Sequence, residues 1–135
     1  TPLAPIGDGY DGYNDYSTVI RLDFEGISFM LSGDAELTSE KEMLQSTPAE
    51  LLDCDVLKVG HHGSNTSSSN EFLSAVTPQY AVISCGKGNE FGHPKKDILS
   101  RLSSFCGAEN VYRTDVCGSV VFVYDGSELE IRTDG

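Results

Sequence analysis

The 135-residue chain is poor in positive charge: nine Lys and Arg stand against 21 Asp and Glu, a formal net charge of −12. Such a surface repels a phosphate backbone and argues against broad electrostatic docking on nucleic acid. A divalent ion bound locally reverses the field, so a confined site can still hold a phosphate. No apolar run approaches the roughly 20 residues of a membrane-spanning helix. The four cysteines, Cys54, Cys85, Cys106 and Cys117, form no Cys-x-x-Cys pair, which argues against a structural zinc knuckle. They read as buried free thiols, Cys85 as a small core residue inside an apolar strand. There is no internal repeat, and no low-complexity tract beyond Ser67–Ser69. There is also no initiator Met and no signal-like segment, so the chain reads as a piece of a longer protein whose targeting information is missing rather than absent. Its length is that of one ordinary domain.

What is present is an alternation of strand and helix signals. Residues 1–13, rich in Gly, Asp and Pro, predict a loop or frayed start. Ser17–Phe24 predicts a strand, Glu25-Gly26 a hairpin turn and Ile27–Leu31 the returning strand. Ser39 and Glu42 have capping-box spacing and predict a short helix to about Gln45, with a further helical turn over 48–52. Val56–Gly60 reads as a buried strand, and Ser68 with Glu71 predicts the start of a helix carrying Phe72, Leu73 and Val76. Tyr80–Cys85 is the next strand. Pro94 suits the first turn of a helix with His93 at or near its cap, and Ile98, Leu99, Leu102 and Phe105 give that helix an apolar stripe. Asn110–Arg113, Ser119–Tyr124 and Glu128–Arg132, the last two joined by Asp125-Gly126, read as closing strands. The order implies an α/β (α+β) fold, a mixed sheet with helices on at least one face.

Four side chains at predicted strand ends are the candidates for chemistry: Asp34, His61, His62 and His93, the last three being every histidine in the chain. Strand-end loops are where α/β proteins build sites. A carboxylate at Asp34 can bind a cation and can bridge two; its plainer role is a turn or helix cap. On an extended backbone His61 and His62 cannot point the same way, so one would ligate while the other orients it or binds substrate. Their plainer role is a pair of surface histidines. His93 beside a helix start can help hold an anion, with Lys95 and Lys96 adjacent; otherwise it is a simple cap. Asp115 reads as a turn residue.

These segments, in this order, resemble the metallo-β-lactamase superfamily. The resemblance is to the hydrolase domain at the C-terminal end of ComEC-type DNA-internalisation competence proteins. It rests on Asn14–Ile20, Phe29-Met-Leu-Ser-Gly-Asp-Ala-Glu36, Asp55-Val-Leu-Lys-Val-Gly-His-His-Gly-Ser64, Phe72–Pro78, Tyr80–Gly86, Gly92-His-Pro94 and Tyr112–Asp115, and covers residues 14 to about 133. It implies the C-terminal half of an αβ/βα sandwich over residues 14–135, a partial domain. It implies a metal-dependent hydrolase of the phosphodiester class, a DNA nuclease-like domain tied to DNA uptake. The cofactor implied is a divalent metal, Zn or Mn, two ions in the complete domain.

The resemblance assigns Asp34 to the bridging carboxylate, His61 or His62 to the late metal ligand, and His93 to the substrate side. Asn14 falls near where many members place another histidine. The family's upstream His-x-His/Asp-x-Asp-His motif has no counterpart here, since residues 1–60 hold no histidine. The site is therefore expected to be incomplete and the segment alone inactive. Its implied partners are a phosphate-ester substrate such as DNA, the missing N-terminal half, and a second copy if an apolar sheet face is left open. The parent is implied to be bacterial, membrane-associated or extracellular, with no membrane contact by this segment. A phosphocholine esterase substrate fits the same motifs. Two other readings stand beside the enzyme: a catalytically inactive structural piece, and a metal-free module in which His93, Lys95 and the helix start hold a phosphate.

Overall fold

The computed structural model describes residues 1–135. The chain enters as a strand, β1 (Pro2–Ala4), where its composition predicted a loop or frayed start. Leu3 and Ala4 are buried, and Thr1 exchanges two 2.8 Å bonds with the backbone of Arg21. Two apolar residues with a ladder to join override the Gly- and Asp-rich composition of the residues that follow. A single 3-10 turn over Asn14–Tyr16 leads into β2 (Val19–Phe24) and β3 (Ile27–Leu31). Glu25 and Gly26, at φ 44° and 97°, make the two-residue turn between them, the left-handed pair that matches strand twist.

Helix α1 (Leu37–Ser46) starts three residues earlier than the Ser39–Glu42 spacing predicted. Its cap comes from a distance. Asp15 accepts from Glu36 N at 3.0 Å and Ser39 N at 3.1 Å, filling donors that a helix start leaves unpaired. Ser39 turns inward to Asp15 O, and the Glu42 carboxylate accepts instead from the Tyr10 hydroxyl. After α2 (Ala49–Leu52) and β4 (Val56–Lys58) comes α3 (Asn70–Val76), capped by Ser69, whose Oγ accepts from Phe72 N at 3.1 Å. This is one residue later than predicted: Ser68 is left-handed at φ 57°, and Ser69 has the extended backbone of a cap at φ −61°, ψ 157°. Then follow β5 (Tyr80–Ile83), α4 (Lys96–Cys106), β6 (Val111–Arg113), α5 (Thr114–Cys117), β7 (Val120–Tyr124) and β8 (Leu129–Thr133). No helix is long and apolar enough to cross a membrane.

Strands β1 to β6 form one sheet in sequential order, antiparallel through β3 and parallel from β3 to β6. This is the mixed sheet expected from the element order. Met30, Leu57, Ala81 and Val111 stand in register across β3–β6. The first three are fully buried in one core with Met43, Phe72, Leu73, Ile98 and Leu102 from the helices. The opposite face carries Phe29, Tyr80 and Tyr112, and the β7–β8 hairpin sets Phe122 edge-on against all three at 6.0–6.2 Å. The hairpin covers only part of that face. Leu22, Phe24 and Leu31 remain 49%, 54% and 40% exposed. Contiguous apolar surface of this kind drives association. The chain is expected to self-associate with rising concentration, and Leu22→Lys to weaken this without unfolding the sheet. A stable monomer by light scattering at high concentration would refute it.

Candidate functional site

Beyond the end of β3, Ser32-Gly33 turns the chain so that Asp34 leaves the sheet. Gly33 has φ 54°, and a Cβ there would lie 3.0 Å from Ser17 Cβ, so the turn needs glycine. Asp34 N donates to Ser17 Oγ at 3.1 Å, and Lys58 Nζ donates to Gly33 O at 3.1 Å. Burial holds the Lys58 ammonium below the usual lysine range, against the opposing pull of the Asp34 charge.

Beyond β4, His61 and His62 are both left-handed, at φ 45° and 55°. Two consecutive non-glycine residues in this region carry strain of roughly 1–2 kcal/mol each, a cost that structures concentrate at functional sites. The expectation that the two rings must point apart assumed an extended backbone. The left-handed turn removes that premise, and the ring centroids stand 6.4 Å from each other. Several contacts hold the turn. His61 N donates to Gly33 O at 3.0 Å, and Lys95 N donates to Gly63 O at 3.0 Å. A Cβ on Gly63 would come within 2.6 Å of Pro94, so only glycine lets the His93 loop approach. The buried Glu40 carboxylate accepts from Ser68 N and, at 2.9 Å, Ser69 N, anchoring the far end of the histidine loop to α1. Burial pushes the Glu40 carboxyl up, and these bonds oppose the shift.

The partners of the two histidines separate their roles. His61 Nδ1 lies 2.9 Å from Glu36 Oε1 and 3.2 Å from Thr66 Oγ1, and Thr66 itself donates to Glu36 at 2.5 Å. His62 Nδ1 lies 2.6 Å from Ser84 O, and its Nε2 lies 3.3 Å from Asp34 Oδ1. With Nδ1–H given to a carbonyl, the tautomer assigned from these partners leaves a lone pair on Nε2 facing a carboxylate oxygen. Two acceptors so placed are reconciled by a proton on His62 or by a cation. His93 joins them, its ring 5.6 Å from that of His61. Burial, followed by the neighbouring His61, Lys95 and His62 charges, lowers its pKa, which favours the neutral ring.

The structure therefore brings all four candidates to one end of the parallel strands, but with differences from expectation. His93 is near the helix cap but not at it: α4 begins at Lys96 with Lys95 as its cap residue, two positions after His93. The residues before it are drawn instead onto the histidine loop and Asn89, whose side chain bonds both His93 N and His93 O. Asn14 donates to Glu36 at 3.2 Å. Asp115 sits in the turn of α5 and pairs with Arg113 at 2.6 Å, which holds its carboxyl below the usual range. All four cysteines are free thiols. Only Cys54 is fully buried, and burial pushes it up to about 12. Cys85 lies just past β5, half-buried rather than in the core.

Sequence reasoning missed Glu36, Thr66 and Lys58. No local pattern marks a carboxylate that reaches a histidine 25 positions on. Asp34 and His62 supply two converging donors. No group of three or more His, Cys, Asp and Glu is placed to hold a metal ion. A catalytic zinc takes three protein ligands, so these residues do not by themselves fit one, and no chemical step is assigned to an ion. A cleft of about 210 Å³, bordered by His62, Cys85, Asn89, Phe91 and His93, opens beside the pair. A larger one of about 390 Å³ is lined by Asp8, Asp11, Asp15, Glu36 and Glu42, a lining that repels phosphate.

Comparison with known proteins gives a consistent family. The model of the metallo-beta-lactamase superfamily matches residues 8–87. ComE operon protein 3 of Bacillus subtilis is 38% identical over 122 residues, 90% of this chain and 15% of that protein. Recombination protein 2 of Haemophilus influenzae is 39% identical over 119 residues, 88% of this chain and 14% of that protein. Competence protein ComA of Neisseria gonorrhoeae is 37% identical over 109 residues, 81% of this chain and 15% of that protein. The chain thus spans about one seventh of the length of these relatives. No solved structure matches it.

Proposed function

Since the chain belongs to the metallo-β-lactamase superfamily, we propose that it carries the later part of the site of a metal-dependent phosphodiester hydrolase. The observation that carries this reading is the convergence of Asp34 Oδ1 and His62 Nε2, 3.3 Å apart, from the ends of two neighbouring parallel strands. Of the two histidines, His62 is the proposed late ligand. His61, held by Glu36 and Thr66, stands beside it. The remaining ligands are proposed to come from a segment outside these 135 residues, the complementary half of the domain. The complete site is proposed to use zinc or manganese, as two ions. His93, at the edge of the cleft, is proposed to offer a ring N–H to a phosphate oxygen on the substrate side. The names competence protein and recombination protein borne by two relatives support DNA as the substrate. The acidic surface restricts docking to the immediate site.

Calorimetry and a cleavage assay test this together. The 135-residue chain is expected to bind zinc and manganese weakly and without a saturating stoichiometry. The longer protein containing it is expected to cleave phosphodiesters only with a divalent metal and to stop on chelation. Cleavage that survives chelation sinks the proposal. A longer protein that neither binds metal nor cleaves establishes the inactive structural role instead.

A further inference from the structure

We infer that Phe91, backed by His93, is a stacking platform for an unpaired nucleobase of a single-stranded polynucleotide, beside the Asp34–His62 pair. This rests on the hydrolase reading above and names its substrate class. Phe91 is 65% exposed, and a lone exposed apolar ring proves little. Its setting is what points to a ligand. The ring lies on the His93 imidazole, centroids 5.8 Å apart and planes 27° from parallel, at the border of the 210 Å³ cleft that also touches His62. One face of a two-ring stack is thus built, with an aromatic surface left to solvent.

The loop is also braced to hold Phe91 outward. Lys95 Nζ donates to Phe91 O at 2.7 Å, Asn89 Nδ2 to Gly86 O at 2.9 Å, Asn89 Nδ2 to His93 O at 2.6 Å, and Gly92 N to Asn89 O at 3.2 Å. These bonds fix the loop backbone on both sides of Phe91, while the ring's only aromatic neighbour is the His93 imidazole. The charge carried by this loop itself fits a polynucleotide, against the Asp34 and Glu36 carboxylates held at the neighbouring histidines. Lys87, Lys95 and Lys96, a third of the chain's nine basic residues, lie here with only Glu90 opposing them before Asp97. Aromatic platforms with nearby positive charge hold single strands through base stacking and phosphate contact. A base in duplex is already stacked and offers no free face, so the occupant is a single strand or an unpaired end.

The test is binding without metal or turnover. A short single strand carrying 2-aminopurine is titrated with the 135-residue chain at 0.15 M salt, where repulsion between exposed like charges is screened beyond about 8 Å. The fluorescence is expected to quench on binding. Phe91→Ala is expected to weaken binding about tenfold or more, the range seen when a stacking aromatic is removed, while Phe91→Trp retains it. A strand with an abasic position in place of the fluorescent base, read by competition, is expected to bind wild type and Phe91→Ala equally weakly. Absence of binding by wild type overturns the inference, as does Phe91→Ala binding like wild type or an abasic strand that still distinguishes the two proteins. Circular dichroism confirms that the exposed substitutions leave the fold intact. Because no metal is used, the stacking inference can fail while metal-dependent cleavage by the longer protein stands. The converse result, stacking without cleavage, sinks the hydrolase reading alone.

Discussion

Asp34→Ala, introduced into the longer protein that contains this segment, is expected to lower metal-dependent cleavage by more than about a hundredfold, beyond the ten- to hundredfold loss caused by disturbing only the groups around a metal ligand. The side chain is half-exposed and touches His62 across 3.3 Å, while its backbone N–H bonds Ser17. Its removal deletes a donor without opening the core, so stability should change by no more than about 0.5 kcal/mol. His62→Ala is expected to match it. Glu36→Gln, acting only through His61, is expected to stay within the ten- to hundredfold range. Cleavage that survives Asp34→Ala in a folded protein removes Asp34 from the site. Equal, large losses from His61→Ala with little from His62→Ala would reverse the assignment of the two histidines.

A second large effect is expected on stability. Leu57 lies on β4, between Met30 of β3 and Ala81 of β5, and no part of it reaches solvent. The surrounding layer is closed on the helix side by Met43, Leu73 and Ile98, so the space left by Leu57→Ala cannot fill by a small local shift. The cost should be about 2–5 kcal/mol, a large share of the 5–15 kcal/mol that typically holds a domain folded. Leu22→Ala, on the half-open face, should cost about 0.5 kcal/mol or less. Urea unfolding at low protein concentration measures both: the midpoint should fall sharply for Leu57→Ala with its slope unchanged. A smaller shift for Leu57→Ala than for Leu22→Ala would show that the two faces of the sheet have been assigned the wrong way round.

The two expectations differ in how far the sequence supports them. The alternation and turn residues around Glu25-Gly26 identify β2 and β3, since both depend on neighbours a few positions away. The stripe Ile98, Leu99, Leu102 identifies α4 for the same reason. The capping signals worked where the partner is local, as at Ser69 and Phe72, within one residue of the expected position. They failed at α1, where Asp15 supplies the cap from 24 positions away and Ser39 is drawn into the core.

The sequence alone thus determined the strand–helix order from β2 to β8 apart from α5, the mixed sheet, and the placement of Asp34, His61, His62 and His93 in loops at strand ends. These follow from side-chain periodicity and turn chemistry, which act over a few residues. The tertiary structure decided which histidine nitrogen faces Asp34, that Glu36 and Thr66 hold His61, and that Phe91 stacks on His93. Those pairings join groups brought together by parallel strands and the approach of the His93 loop to Gly63. Hydrogen-bond and stacking partners are chosen by distances of a few ångströms, and separation along the chain does not encode them until the layers have packed.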